Sequence, residues 1–350
     1  MAHATSDIPA AGRVAGLLMR WYARARRDLP WRGSRDPYRV WVSEIMLQQT
    51  QVERVRDYFL RFTARFPTVA DLARAREADV LKAWEGLGYY RRARQLHAAA
   101  REVVADHAGR FPRSVAELRR LPGIGRYTAG AIASIAFGVR APSVEANSRR
   151  VLARLVGHRA AVGGAAGDEP LWEVAERLVP ARRPGIFNQA LMDLGAGVCT
   201  PVQPLCHRCP LAGVCVARRD GRVAEIPAAA PRRAARLVSE TAVVERRGGR
   251  VLLEKRGPGE WWEGLWDFPR AGGRPRGRRL GTVAYTVTHH KVTCTVVERV
   301  ATGPMPPAAR HRRWVAARGL AGIALSAPGR RIARLVVAAP ASEAARRRRT

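Results

Sequence analysis

Four of the five cysteines crowd into one stretch: Cys199, Cys206, Cys209 and Cys215 in CTPVQPLCHRCPLAGVC. The spacing C-x6-C-x2-C-x5-C puts four soft donors in one short loop, which can close around a metal centre. Zinc sites more often use two separated C-x2-C knuckles. Here there is one close pair, with His207 inside it. Structural cysteines without metal do not account for this density, and spacing alone leaves zinc and an iron–sulfur cluster both open. Disulfides are not expected. MAHATSDIPAAGRVAGLL lacks an apolar signal core, so the chain reads as cytoplasmic and its thiols as reduced. The fifth cysteine, Cys294, falls in a strand-like run and reads as core.

Upstream of the cysteine loop the pattern is helical. Val14, Leu17, Leu18 and Trp21 fall at i, i+3, i+4, i+7. The same period recurs through 52–66, 70–84, 92–108 and 115–121, and again from 171 to about 198. Near Pro227 the text changes. IPAAAPRRAARLVSE reads as a linker. TAVVERRGGRVLLEKR reads as two strands joined through Gly-Gly. TVAYTVTHHKVTCTVVERV also favours strands. The expected organisation is an all-α first domain over 1–225 containing the 199–215 loop, a linker over 226–238, a smaller β-rich domain over 239–340, and a basic tail over 341–350. No apolar run reaches the roughly 18 residues of a membrane span.

The formal charge is +33, from 62 Lys+Arg against 29 Asp+Glu. Arginine over lysine can reflect codon bias, since only Lys82, Lys255 and Lys291 are lysines. The excess of bases over acids cannot, and it predicts a polyanionic partner, most simply nucleic acid. A hydrophobic fraction of 47% argues against wholesale disorder.

LPGIGRYTAG places Gly123 and Gly125 in a tight turn between helices. Backbone N–H groups at such a turn and the next helix start can hold a phosphate. That contact positions DNA without reading its sequence. In DPYRVWVSEIMLQQTQVERV, Glu44 sits among Trp41, Val42, Ile45, Met46 and Leu47. A carboxyl in apolar company stays protonated to higher pH, as a general acid requires. Next to it, Leu47 and the uncharged Gln48, Gln49, Thr50 and Gln51 suit a wedge entering a base stack. APSVEANSRRVLARL sets a second carboxylate, Glu145, at a helix start beside two capping candidates, Asn147 and Ser148. Before the linker the only lysine is Lys82, on a helix, where a surface position is favoured over a nucleophile. After Arg126 stands Tyr127, which cannot form an imine.

LPWR, SEIMLQQTQV, GLGYYRRARQLH, LPGIGRYTAG, FNQALMDLGAGVC and the cysteine loop together resemble the MutY family of adenine DNA glycosylases. That family belongs to the helix-hairpin-helix superfamily and is similar to endonuclease III. The resemblance implies a mainly α glycosylase with a [4Fe–4S] loop at Cys199, Cys206, Cys209 and Cys215, followed by a smaller α/β Nudix-like domain. It implies a monofunctional enzyme, acting as a monomer on mispaired double-stranded DNA at the nucleoid, that removes adenine opposite 8-oxoguanine or guanine. It assigns base protonation to Glu44, the second acid to Glu145, an orienting role to Asn147, and the lyase-lysine position to Tyr127. Trp31, Arg32 and Gln189 match base-pocket residues. Leu47 and Gln49 match the wedge, with Gln48 beside them, and Tyr89 matches an intercalating aromatic.

Two segments depart from the family. Where it carries Asp-Gly-Asn, this chain has Glu145-Ala146-Asn147. Where it reads 8-oxoguanine with Phe-Ser-His, this chain has Val287, Thr288 and His289. These departures keep two other readings open: a paralogue acting on another base, and a non-catalytic iron–sulfur DNA-binding protein. VLLEKRGPGEWWEGLWDFPR fits the start of the Nudix-like module. AGGRPRGRRL is short and basic where the family has more chain. No acidic Nudix motif is present, so pyrophosphate hydrolysis is not expected.

Overall fold

A computed structural model describes residues 9–229, 234–272, 276–300 and 311–339. The basic tail at 341–350 and part of the linker lie outside them. The chain divides into two compact units, Met1–Arg74 with Gln95–Pro231, and Ala75–Arg94 with Arg232–Thr350. The first stretch of chain thus lends one segment, Ala75–Arg94, to the second unit.

In chain order the helices are α1 (Ala11–Ala25), α2 (Pro37–Leu47), α3 (Val52–Arg65), α4 (Val69–Arg74), α5 (Glu77–Ala83), α6 (Arg91–Asp106), α7 (Val115–Leu118), α8 (Arg126–Phe137), α9 (Ala146–Val156), α10 (Ala165–Leu178), α11 (Pro184–Gly197) and α12 (Val216–Arg219). The apolar period expected over 70–84 is split between α4 and α5. Arg76 is extended, with φ −72° and ψ 139°. Leu72 and Val80 are both buried, yet in different units. The helices expected from 171 to about 198 are α10 and α11, and Pro184 takes the first helical position of α11.

The helical unit is centred on α1, α9, α10 and α11. They bury Val14, Leu18, Leu152, Leu155, Leu171, Phe187, Leu191 and Leu194 together. The second helix packs on α8 and α3, and α8 in turn packs on α11. Local chemistry sets the ends. Asp36 caps α2 through the Tyr38 N–H, and left-handed Gly138 and Gly157 close α8 and α9.

The second unit holds strands β1 (Arg236–Arg247), β2 (Arg250–Lys255), β3 (Trp266–Asp267), β4 (Arg270–Ala271), β5 (Arg278–Val287), β6 (His290–Val300) and β7 (Arg312–Ala316), then helix α13 (Ala327–Ala338). Their order is β3-β2-β1-β6-β5, with β4 on β1 and β7 on β2. The expected hairpin turns at Gly248 and Gly249, φ 52° and 75°. The sheet is mixed, because β1 runs parallel to β6. Cys294 is core, as expected, with Val244, Leu253, Phe268 and Val296 under Ile332 and Val336 of α13. No helix among the described residues is long and apolar enough to cross a membrane.

Candidate active site

Glu44 lies in the last turn of α2, flanked by buried Trp41, Val42, Ile45 and Met46, and is itself only 3% exposed. Burial raises its carboxyl above the ordinary range. A hydrogen bond from Tyr127 and the charge of Arg32 oppose that rise, while nearby Glu145 adds to it. The Tyr127 hydroxyl donates to Glu44 Oε2. Tyr127 is placed by the glycine turn, in which Gly125 is the N-cap of α8 and Gly123 has φ 75°. A Cβ on Gly123 would lie 2.7 Å from Gln95 Cβ, so this turn needs glycine for space as well as conformation. The Tyr127 phenol is held well above its ordinary pKa by burial and by both carboxylates.

Glu145 is arranged differently. The sequence offered Asn147 and Ser148 as capping side chains, but Glu145 itself is the N-cap of α9. Its Oε2 accepts from the Asn147 N–H at 2.7 Å and its Oε1 from the Ser148 N–H at 2.9 Å. Asn147 and Ser148 are donors here because their amides are the orphan groups of the first turn. The longer Glu reaches its own helix start by curling back from an extended residue, φ −111° and ψ −176°. The chain on both sides of it is clamped. A Cβ on Gly130 would sit 1.9 Å from Pro142 O, and one on Gly195 would sit 2.6 Å from Asn147 Cβ. Asn188 Nδ2 donates to Ala141 O at 2.9 Å.

Arg32 Nη2 and Arg27 both bond Asp193 Oδ1, at 2.9 and 2.5 Å. Asp193 Oδ2 and Arg32 Nε are buried without a hydrogen-bond partner among the described residues. Tyr22 OH donates to Gln189 Oε1 at 3.1 Å. Gln189 and Tyr22 also line a cavity of about 250 Å³ whose lining does not include Glu44 or Tyr127. Trp31 is buried edge-on against Phe59, 5.4 Å between centroids. Glu44, Tyr127, Arg32 and Glu145 are therefore one electrostatic group, with Gln189 joined through Tyr22 and Trp31 turned into the core.

All four loop cysteines are free and half-buried. Burial pushes the Cys209 thiol up to about 12 and also raises Cys215, and both feel Cys199 and Cys206. Arg154 Nη1 donates to Cys199 Sγ at 3.3 Å. Arg150 reaches from Asn147 Oδ1 at 2.8 Å to Cys199 O at 2.7 Å, joining the start of α9 to the cysteine loop. Among the described residues no three His, Cys, Asp or Glu are gathered as one metal ion would require. Four thiols in one short loop, with Arg154 donating to one of them, are the donor set that an iron–sulfur cluster would use.

Comparison with known proteins bears on the same residues. The HhH-GPD superfamily of base excision DNA repair proteins matches residues 42–176, and a NUDIX domain matches 240–335. Adenine DNA glycosylase of Rattus norvegicus is 36% identical over 89% of this chain and 76% of its own. That of Homo sapiens is 35% identical over 87% and 70%. The chain belongs to the adenine DNA glycosylase family. It is an adenine-specific DNA N-glycosylase of base-excision repair. Its helical fold is also that of a thermostable thymine-DNA glycosylase, at TM-score 0.54 and 32% identity over 60% of this chain and 97% of that one. A trapped endonuclease III–DNA intermediate shares the fold at TM-score 0.51 and 23% identity, covering 59% of this chain and 95% of that one.

The residues that the sequence offered as a wedge follow directly from Glu44. Leu47 ends α2, Gln48 Nε2 donates to Thr128 Oγ1 at 3.2 Å, and exposed Gln49 is left-handed, φ 55°. In the sheet unit, Val287, Thr288 and His289 form the β5–β6 turn, with Thr288 at φ 51°. Beside this turn the His289 and His290 rings are 4.1 Å apart, and Trp261 lies 5.2 Å from His290. AGGRPRGRRL, which runs from the end of β4 into β5, forms no helix among its described residues; 273–275 lie outside them. Sequence reasoning missed Asp193, Tyr22, Arg150, Gly130 and Gly195. Four of them stood inside or beside quoted motifs, but their roles depend on partners far away in the chain.

Proposed function

We propose that this glycosylase removes adenine opposite 8-oxoguanine or guanine in duplex DNA, acts as a monofunctional monomer, and holds a [4Fe–4S] cluster at Cys199, Cys206, Cys209 and Cys215. The observation that carries the monofunctional reading is the Tyr127–Glu44 hydrogen bond, in a helical unit whose sequence contains no lysine. Lys82 belongs to the other unit, and its Nζ is bound to Glu85 Oε2 and Ala321 O, both at 2.7 Å.

Adenine must leave the stack to be reached. Glu44, kept protonated by burial, gives its proton to a ring nitrogen of the flipped base. The C1′–N bond then breaks with its electron pair going to adenine. Glu145, close enough to act on Glu44 and Tyr127, supplies negative charge to the oxocarbenium-like sugar, and water completes the hydrolysis. When bound, the cluster supplies four crosslinks that fix the loop touched by Arg150 and Arg154. Thr288 and His289, backed by His290 and Trp261, support lesion reading by hydrogen bonding and stacking.

The test is a duplex panel treated with alkali. Adenine loss selective for 8-oxoguanine or guanine opposite is expected. Loss of thymine would favour the alternative raised by the thymine-DNA glycosylase likeness. Strand breaks without alkali, or borohydride trapping, would defeat the monofunctional reading. Absorbance and iron analysis of the purified protein test the cluster.

A further inference from the structure

The segment Ala75–Arg94 groups with the sheet unit, and specific bonds hold it there. Arg330, in the first turns of α13, grips Glu85 with both arms of its guanidinium: Nε to Oε1 at 2.5 Å and Nη2 to Oε2 at 2.9 Å. The same guanidinium donates to Leu320 O at 2.7 Å and Ile323 O at 2.6 Å. Lys82 bonds Glu85 from the other side and reaches Ala321 O. At the far end of the segment, Arg94 bonds the Glu263 carbonyl and pairs with its carboxylate. Forked, partly buried pairs of this kind fix orientation as well as position.

What the clamp holds is a tight turn. Gly86 and Gly88 have φ 103° and 77°, and Tyr89, a residue with a Cβ, has φ 48°. The turn is tied from inside: Trp84 Nε1 donates to Gly88 O at 3.2 Å, Arg92 Nη2 donates to the same oxygen at 3.2 Å, and the Gly86 N–H donates to Tyr90 OH at 3.1 Å. Trp84, Leu87 and Tyr90 are buried, whereas Tyr89 is 53% exposed. The Arg92 guanidinium lies 5.5 Å from the centroid of the Tyr89 ring, and a left-handed non-glycine residue of this kind marks a constrained position. In a chain with charge +33 that acts on DNA, the exposed part of this ring can stack on the face of a base.

We propose that Glu85 and Arg330 are positioning residues for Tyr89. The sheet unit, through α13, sets how this aromatic is presented to the stacked bases of duplex DNA. The proposal rests on the DNA glycosylase reading only in taking duplex DNA as the partner.

The test uses the full chain and a duplex carrying 2-aminopurine beside the mispair, whose fluorescence reports intrusion into the stack. Tyr89→Ala defines the signal that depends on this ring. Glu85→Ala and Arg330→Ala are expected to lose most of that signal. The double variant is expected to lose no more than either single one, because the two residues act as one unit. Glu85→Gln, whose single amide oxygen can accept from only one arm of the guanidinium, is expected to lose part of it and less than Glu85→Ala. Additive losses, or wild-type fluorescence in both alanine variants, would overturn the proposal. If the alanine variants do not fold, Arg330→Lys replaces them: it keeps charge but not the fork, so a partial loss is expected and an unchanged signal overturns the idea. Base release is measured separately, so an inactive wild type defeats the enzymatic reading without touching the fluorescence result.

Discussion

Glu44 and Glu145 are two carboxylates of one site, and the fold treats them in opposite ways. Glu44 is sunk among apolar side chains with one neutral donor, the Tyr127 hydroxyl, so its charged form is disfavoured. Glu145 spends both oxygens on the backbone N–H groups of its own helix, where the dipole also favours a negative charge. Burial favours the protonated form of Glu44, while Glu145 has both oxygens engaged by backbone donors. Two identical side chains in such different surroundings are what the acid and stabilising roles proposed for them require.

The sharpest break in that comparison is Glu44→Gln. It removes the only proton in this group with a carboxyl's acidity, and single-turnover adenine release should fall by about 10²–10⁴. A variant that kept its rate would leave Glu44 a mere core residue. Glu145→Gln comes next. If the charge serves the sugar, the rate falls on the order of 10²–10³, while losing an N-cap costs only about 1 kcal/mol. A lowered Tm with an intact rate would make Glu145 a cap and nothing more. Glu145→Asp keeps both cap and charge and should fall between wild type and Gln.

Gly195→Ala tests the clamp under Glu145. Its Cβ would press on Asn147, and such overpacking costs roughly 1–3 kcal/mol, read as a lower Tm. The smallest effect is in Tyr127→Phe. The Tyr127 hydrogen bond lowers the Glu44 pKa, so removing it raises that pKa further. The alkaline limb of the rate profile, where Glu44 loses its proton, should move to higher pH. The linked stability has the matching sign. Glu44 is raised in the folded state, so it favours the fold most at low pH, and that contribution declines as pH rises towards the raised folded value. A limb that stays put, or moves to lower pH, would show that Glu44 is not the group titrating.

Much of this was legible early. The helical period marked most elements of the first unit, and Gly-Gly marked the β1–β2 hairpin. The apolar neighbours of Glu44 marked this stretch of α2 as one to be buried, and packing of α2 on α8 and α3 completes the burial that raises its pKa. The division of 70–84 into α4 and α5 was not legible, because the apolar period runs through it unbroken while its two halves pack against different units. The parallel pairing of β1 with β6 was equally silent, being a choice between partners far apart in the chain.

The sequence by itself determined the chemistry available: two carboxylates, a tyrosine where an imine would need lysine, four clustered thiols, and an excess of positive charge. Tertiary structure decided how that chemistry is used. It made Glu145 its own helix cap, tied Asn147 to the cysteine loop through Arg150, and locked Lys82 into a clamp around Glu85. These outcomes depend on which distant groups arrive within hydrogen-bond reach, and residue order does not encode that distance locally.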